Sequence, residues 1–253
     1  VSEYGAGSSI FHHSDFPTAP VPSGKFHPEE WASVAHESAI HEINKRDNLW
    51  MTAIWCMFDF ASNGRNEGDS AGINDKGLVT RDRKTKKDAF YLYKANWMSA
   101  ERDPFVYITS RRMTEREVAS NTITVYSNMQ SVELFRNGVS LGEMTSVGDG
   151  IFRTENVSYG EIGDETTLTA KCGDVTDSIS FTRRASSSLE FDIVADGIYI
   201  NENDGTVLFS RNTNAENISD CFRTNYNAVF SVIGIDHATT VESGLIKPGM
   251  ILR

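Results

Sequence analysis

The chain has 253 residues, 39% hydrophobic and 23% charged, a composition usual for globular protein and a length for one to two domains. A formal net charge of -11 and a pI near 5.0 exclude the basic surface that nucleic acid or an anionic membrane requires of a partner. No apolar run reaches the roughly 18 residues that span a bilayer, and the scattered Cys56, Cys172 and Cys221 lack the spacing of a zinc site.

Residues 1–100 alternate strand and helix patterns. Glu3 closes a short apolar strand and is followed at once by Gly5-Ala6-Gly7, a small-residue turn that suits a side chain presented to a cleft. A long loop then carries His12, His13, Pro17, Pro20 and Pro22. His27-Pro28-Glu29-Glu30-Trp31 reads as a helix start, because proline loses nothing in a first turn and acids oppose the positive end of the dipole. Trp31, Ala35, Ala39 and Ile43 recur at four-residue steps and predict one apolar face. Residues 49–58 are mostly apolar and read as a strand buried on both faces of a parallel sheet. After a glycine-bearing loop, residues 84–97 read as a helix with Phe90, Tyr93 and Trp97 on one side. Strand and helix in alternation are the rhythm of an α/β barrel or a doubly wound sheet.

Residues 104–184 change character. Short alternating runs such as Thr122-Ile123-Thr124-Val125-Tyr126 and Val132-Glu133-Leu134-Phe135 replace the helices. Asn137-Gly138, set between two such runs, is a two-residue hairpin turn, since both positions need positive φ. About seven strands are expected in this span, the size of an immunoglobulin-like β-sandwich. Residues 185–253 follow a serine-rich linker and read as a small β-rich domain, truncated at its end. In it, strands flank Asn203-Asp204-Gly205, residues 228–233 read as a strand, Thr240-Val241-Glu242 as a helix start, and residues 247–252 as a turn into a further strand.

Several motifs in the first segment, taken in order, resemble glycoside hydrolase family 2, which includes β-galactosidases and β-glucuronidases. They are Ser2-Glu3-Tyr4-Gly5-Ala6-Gly7, His27-Pro28-Glu29-Glu30-Trp31 and Trp55-Cys56-Met57-Phe58-Asp59-Phe60. The run from Gly72 to Arg83 and the run Lys86-Lys87-Asp88-Ala89-Phe90 complete the set. The resemblance covers residues 1–97 densely, and the run from Val132 to Gly142 is similar to the sandwich that follows the catalytic barrel in many members. It implies that residues 1–100 are the C-terminal portion of a TIM (β/α)8 barrel, with the seventh strand ending at Glu3 and the eighth containing Trp55.

The resemblance also implies the chemistry. Glu3 matches the nucleophile of a retaining β-glycosidase, which forms a covalent glycosyl-enzyme intermediate and works with a second carboxyl as acid/base. The family's acid/base is a Glu after Asn; here Asn66-Glu67 and Asn201-Glu202 are misplaced for it, so it is expected upstream of this chain, which alone would be inactive. Trp55 is implied as a sugar-stacking platform. Asn74 and Lys76 resemble the Asn-x-Lys pair that β-glucuronidases use on the sugar carboxylate, and His12 and His13 lie in a loop where members often carry a sugar-binding His. The expected substrate is a β-linked oligosaccharide or glycoside, and the first expectation is a β-galactosidase-like enzyme. The alternatives are a β-glucuronidase or β-galacturonidase, or a non-catalytic carbohydrate-binding or scaffold fragment. No organic cofactor is implied; some relatives use Mg²⁺ or Na⁺, for which no ligands are assignable here. Oligomeric state and compartment stay open.

Overall fold

The computed structural model describes residues 3–185 and, by backbone alone, seven short strands between residues 192 and 246. The chain divides into two compact units, residues 1–186 and 187–253.

In the first unit, helix α1 runs Glu29–Asn44 with Pro28 at its N-cap in extended conformation. The loop before it supplies a partner for the first turn: Glu29 N–H donates to the His12 carbonyl (3.0 Å). The helix starts where the proline and the two acids place it, but its buried stripe is Glu29, Ala32, Ser33, His36 and Ile40, not Trp31, Ala35, Ala39 and Ile43. Polar partners choose that stripe. Glu29 meets Arg112, and His36 Nδ1 shares a hydrogen bond with the Tyr93 hydroxyl (2.8 Å). Burial, with the Lys87 charge nearby, pushes His36 down to about 4, so the ring that meets Tyr93 is neutral.

Strands β1 (Phe60–Ala61) and β2 (Ile73–Asn74) pair antiparallel in the connection that follows. Helix α2 runs Asp88–Trp97, four residues shorter at its start than expected. Residues 80–85 form a tight turn instead: Thr80 N–H donates to the Thr85 carbonyl (2.9 Å), and Asp82 accepts from the Thr80 hydroxyl (2.6 Å). Residues 49–58 do not form the buried strand expected of them. They make only isolated parallel bridges, to Tyr4 at Ile54 and to Val79 at Phe58, and Trp50 is 91% exposed. A parallel strand is buried on both faces only when neighbouring strands and their helices cover it; among the described residues the pairing is limited to those bridges.

Nine strands follow between residues 106 and 183, two more than the alternating runs announced, because several are too short to show a period. One sheet takes the order β4 (Glu115–Arg116), β11 (Val175–Arg183), β10 (Glu165–Cys172), β6 (Glu133–Arg136), β7 (Val139–Glu143). The other takes the order β3 (Val106–Ile108), β5 (Ser120–Ser127), β9 (Ile151–Ser158), β8 (Thr145–Gly148). Side chains alternating along both sheets meet in one core, including Ile108, Val125, Leu134, Phe152, Leu168 and Phe181. The Asn137-Gly138 turn joins β6 to β7 with φ of 49° and 79°, the two positive values the dipeptide foretells.

The helical segment and the two sheets are one packed body. A second core joins Ile40, Leu92 and Tyr93 to Tyr107, Tyr126 and Ile151 from the strands and to Phe105 just before β3. Beside it Arg112 reaches two buried carboxylates, Glu29 at 1% exposure and Asp88 at 0%. Glu29 also accepts the Asp88 N–H (2.7 Å), and Asp88 accepts from the Tyr107 hydroxyl (2.7 Å). Burial and the neighbouring Glu29 carboxylate push Asp88 up, to about 6, against the pull of Arg112.

In the second unit, β12 (Asp192–Ala195), β13 (Ile198–Asn201) and β14 (Thr206–Phe209) form an antiparallel sheet, with the turn expected at 203–205 lying outside the described residues. Strand β15 (Thr213–Asn214) pairs with β18 (Leu245–Ile246). Thr240 and Val241 do not start a helix; as β17 (Thr240–Val241) they pair with β16 (Val232–Ile233), where two β-branched residues suit a ladder better than a helix end. The strand expected at 247–252 lies outside the described residues.

Replacing Arg112 with Met leaves two carboxylates buried without their cation, an expected loss of about 3–5 kcal/mol. Urea denaturation of the variant measures it; a loss under about 1 kcal/mol would show that the clamp is dispensable.

Candidate active site

Three extended segments lie side by side and carry the site. Tyr4 N–H donates to the Ala53 carbonyl (3.1 Å) and Trp55 N–H to the Tyr4 carbonyl (2.7 Å), so the Glu3 segment runs parallel to the Trp55 segment. Residues 76–79 flank the other edge: Cys56 N–H donates to the Lys76 carbonyl (3.1 Å), and Asp59 N–H to the Val79 carbonyl (2.9 Å). Two glycines permit these approaches. A Cβ on Gly5 would lie 1.9 Å from the Trp55 carbonyl oxygen, and one on Gly77 would lie 2.1 Å from the Asp59 nitrogen.

The result is a cleft of about 440 Å³ lined by Glu3, Trp55, Asn74 and Lys76 together with Tyr4, Phe60, Ser62 and Arg65. Four residues singled out in the sequence, more than fifty positions apart at the extremes, thus share one surface. Trp55 is 40% exposed, with its ring held edge-to-face against Phe60 (5.8 Å, 85°). An exposed, braced indole is suited to stacking on an apolar sugar face. Asn74 is 2% exposed, and its Oδ1 accepts the Lys76 N–H (3.1 Å), which shapes the turn that aims both residues. Arg65 is a second cation in the cleft; its carbonyl accepts from Gly72 N–H (2.8 Å) and its guanidinium pairs with Glu67. No local pattern marks Arg65, since its place depends on the β1–β2 pairing.

His12 and His13 do not line this cleft. The His12 ring accepts the His27 N–H at Nδ1 (3.1 Å) and lies against Phe26. His13 faces two acceptors, Glu30 Oε1 at Nδ1 (3.0 Å) and the Ile10 carbonyl at Nε2 (3.1 Å). Two acceptors favour the protonated ring; against the effect of burial, Glu30 raises its pKa. His13 therefore fastens the 8–16 loop to α1, and His12 fastens it to residues 26–27 just before the helix. Glu67, of the Asn66-Glu67 pair, is held below the usual carboxylate range by Arg65, the reverse of what a general acid needs. The Cys56 thiol donates to the Phe58 carbonyl (3.1 Å), and burial pushes its pKa up, which disfavours the thiolate.

Behind the cleft lies a buried polar network. Lys87 Nζ, 2% exposed, donates to the Ser8 carbonyl (2.6 Å), Asp59 Oδ1 (2.9 Å) and the Asp75 carbonyl (2.9 Å). Burial pushes the Asp59 carboxyl up, opposed by Lys87. Asp75 Oδ2 meets His27 Nδ1 at 2.6 Å. A separate cavity of about 330 Å³ between α1 and the β5–β9 face holds Asp15, Glu30 and Glu37. Three of its acids are already engaged: Glu37 by Tyr126 and Arg153, Glu30 by His13 and the Ser14 N–H, and the Asp15 carboxylate by the Glu117 N–H (3.4 Å) and the Asn121 amide (3.5 Å). Among the described residues no group of three His, Cys, Asp or Glu is arranged to hold a metal, and no helix is long and apolar enough to cross a membrane.

The His27–Asp75 pair gives a pH signature. The hydrogen bond to Asp75 holds His27 above its ordinary value, so its contribution is full below about pH 6.5 and is lost as pH rises through the folded value. Burial works to raise Asp75, but His27 and Lys87 hold it below the usual range. Its contribution is present above about pH 3.9 and is lost as pH falls through the folded value. The stability difference between the wild type and His27→Gln is therefore expected to be largest between about pH 4 and 6.5 and to shrink by pH 8.5. Denaturant melts across that range test it, and a difference that grows with pH contradicts the pairing.

Comparison with known proteins places this geometry. No protein-family model matches the chain. It is 47% identical over 143 residues to a β-glucuronidase of Bacteroides fragilis, a match covering 56% of this chain and 20% of that protein. It is 32% identical over 166 residues to a Formosa agariphila protein provisionally named a β-glucuronidase, covering 56% and 19%. The chain thus spans about a fifth of the length of these curated relatives. Among solved structures, it is 36% identical to an FMN-binding β-glucuronidase from Facaelibacterium prausnitzii L2-6, with a TM-score of 0.65 over 74% of this chain and 27% of that one. A Bacteroides fragilis structure provisionally named a β-galactosidase is 32% identical, with a TM-score of 0.68 over 75% and 28%.

Proposed function

With this chain related to glycoside hydrolase family 2 through its β-glucuronidase and β-galactosidase homologues, we propose that its cleft is part of a retaining β-glycosidase site for β-linked glucuronides. The observation that carries the choice of sugar is the cleft's cation content. Lys76 and Arg65 line it with the Asn74 amide, and Glu3 is the one acid among the lining residues described. An ammonium and an amide donating together suit a sugar carboxylate better than a neutral hydroxymethyl group.

In this reading Glu3 attacks the anomeric carbon, the bond to the leaving oxygen breaks, and an ester joins sugar to enzyme until water releases it. A second carboxyl, about 5–5.5 Å from the first, protonates the leaving oxygen; it is contributed by a part of the enzyme other than the cleft residues described here. Trp55 supports the apolar face of the sugar, while Asn74 and Lys76 receive its carboxylate. Residues 1–100 belong to a TIM barrel, with Glu3 and Trp55 at the rim where barrel enzymes build their sites, and residues 104–184 form an immunoglobulin-like sandwich. The parallel bridge Tyr4↔Ile54 supports neighbouring barrel strands, and the two facing sheets support the sandwich. A β-galactoside is the second reading, favoured by the relative of 32% identity provisionally named for that sugar.

Two experiments on the full-length enzyme test this. Lys76→Ala is expected to lower kcat/KM on an aryl β-glucuronide by about ten- to a hundred-fold, the worth of a charged hydrogen bond of roughly 1.5–3 kcal/mol. It should leave aryl β-galactoside hydrolysis unchanged; equal loss on both sugars transfers the assignment to the second reading. A mechanism-based aziridine inactivator should label the peptide containing Glu3 by mass spectrometry and should fail to label Glu3→Gln, whereas a label on another carboxylate would displace Glu3 as nucleophile.

A further inference from the structure

We propose that Lys87 is the positioning residue of the cleft, a buried ammonium that sets the spacing between nucleophile, stacking platform and carboxylate-reading turn. Its role in turnover rests on the glycosidase reading above. Its role in positioning stands on the geometry alone.

An ammonium has three N–H donors and no acceptor. In Lys87 all three are used, each on a different segment of the site. The Ser8 carbonyl lies in the turn that leaves Glu3, Asp59 ends the segment that carries Trp55, and the Asp75 carbonyl lies between Asn74 and Lys76. No two of these acceptors come from the same segment. The backbone repeats the tie, since Lys87 N–H donates to the Leu78 carbonyl (2.9 Å), on the strand-like run that flanks Trp55. Asp59 Oδ1 in turn accepts the Gly77 N–H (2.8 Å), so even the counter-charge bridges two segments. Local chain geometry does not impose this arrangement: the acceptors lie 79, 28 and 12 positions from Lys87.

The ammonium also has a fixed seat. Lys87 is the N-cap of α2, and the next residue, Asp88, is held by Arg112 and Tyr107. A displaced ammonium would therefore release the three segments from a common reference while leaving the sheets untouched. Misplacement of a reacting group by about 1 Å costs on the order of a hundred-fold in rate.

The test uses two variants of the full-length enzyme. Lys87→Met combined with Asp59→Asn removes the ammonium and its counter-charge together, so no buried charge is left alone. Lys87→Arg keeps the charge but replaces three diverging donors with a planar fork. In each, kcat on an aryl β-glucuronide is expected to fall by about a hundred-fold with a smaller change in KM, at a temperature where circular dichroism shows the fold intact. A substrate-free readout runs beside it. Exchange of the amide hydrogens of Ser8, Cys56 and Leu78 should quicken together at least about tenfold, while those in β5 and β9 do not change.

Wild-type kcat in either folded variant overturns the proposal, as does unchanged exchange at the three amides. Loss of the fold in both variants overturns it too, because Lys87 would then hold the molecule rather than the site. If the wild-type enzyme hydrolyses no β-glycoside, the glycosidase reading fails, and the exchange experiment still decides whether Lys87 positions the cleft.

Discussion

A buried ammonium is the constraint around which this structure is organised. Lys87 gives up its hydration entirely, and an unpaired charge in such a place would neutralise or unfold its surroundings. It persists because one carboxylate and two carbonyls replace the lost water. That replacement can be complete only if three segments distant in sequence converge on one point. Burial of one charge thus imposes the arrangement of the cleft, and the cleft residues inherit their spacing from it.

The neighbouring residue extends the same constraint outward. Asp88 is fully buried at the first turn of α2, and Arg112 joins it to Glu29 on α1. Consecutive residues therefore tie the helical segment to the cleft on one side and to the two sheets on the other. This explains why the sequence boundary expected near residues 100–104 is not a gap in packing. The apolar contacts of Tyr93, Phe105 and Tyr107 fill the space between, and the ion pairs fix its register.

Local chemistry was legible wherever a residue type answers to its own backbone. The Asn137-Gly138 turn, the proline-led start of α1 and the alternating strands of the sheets all follow from conformational preference within a few residues. The cleft was legible through a different route: a set of motifs in a fixed order pointed to Glu3, Trp55, Asn74 and Lys76, and these do line one cleft. Arg65 was not legible, because it enters only through the pairing of β1 with β2. His12 and His13 do not join the described cleft, and nothing in the sequence marks this, for a related reason. A polar ring in a loop near a cleft has no sequence mark to say whether it faces the cleft or, as here, residues 26–27 for His12 and Glu30 with the loop's own backbone for His13.

The buried face of α1 makes the division plain. A four-residue repeat was present in Trp31, Ala35, Ala39 and Ile43, yet the helix turned Glu29, Ser33 and His36 inward, since Arg112 and Tyr93 waited there as partners. The run at 49–58 likewise keeps two isolated parallel bridges but neither the strand nor the burial its apolar side chains promised. By itself the sequence determined the turns, the element types over most of residues 27–183 and four of the residues that gather at the cleft, Glu3, Trp55, Asn74 and Lys76. Only the tertiary structure decided which faces are buried and that Lys87 is the residue binding the cleft together. Secondary structure answers to neighbours along the chain, whereas a buried charge answers to whatever acceptors the fold brings within about 3 Å.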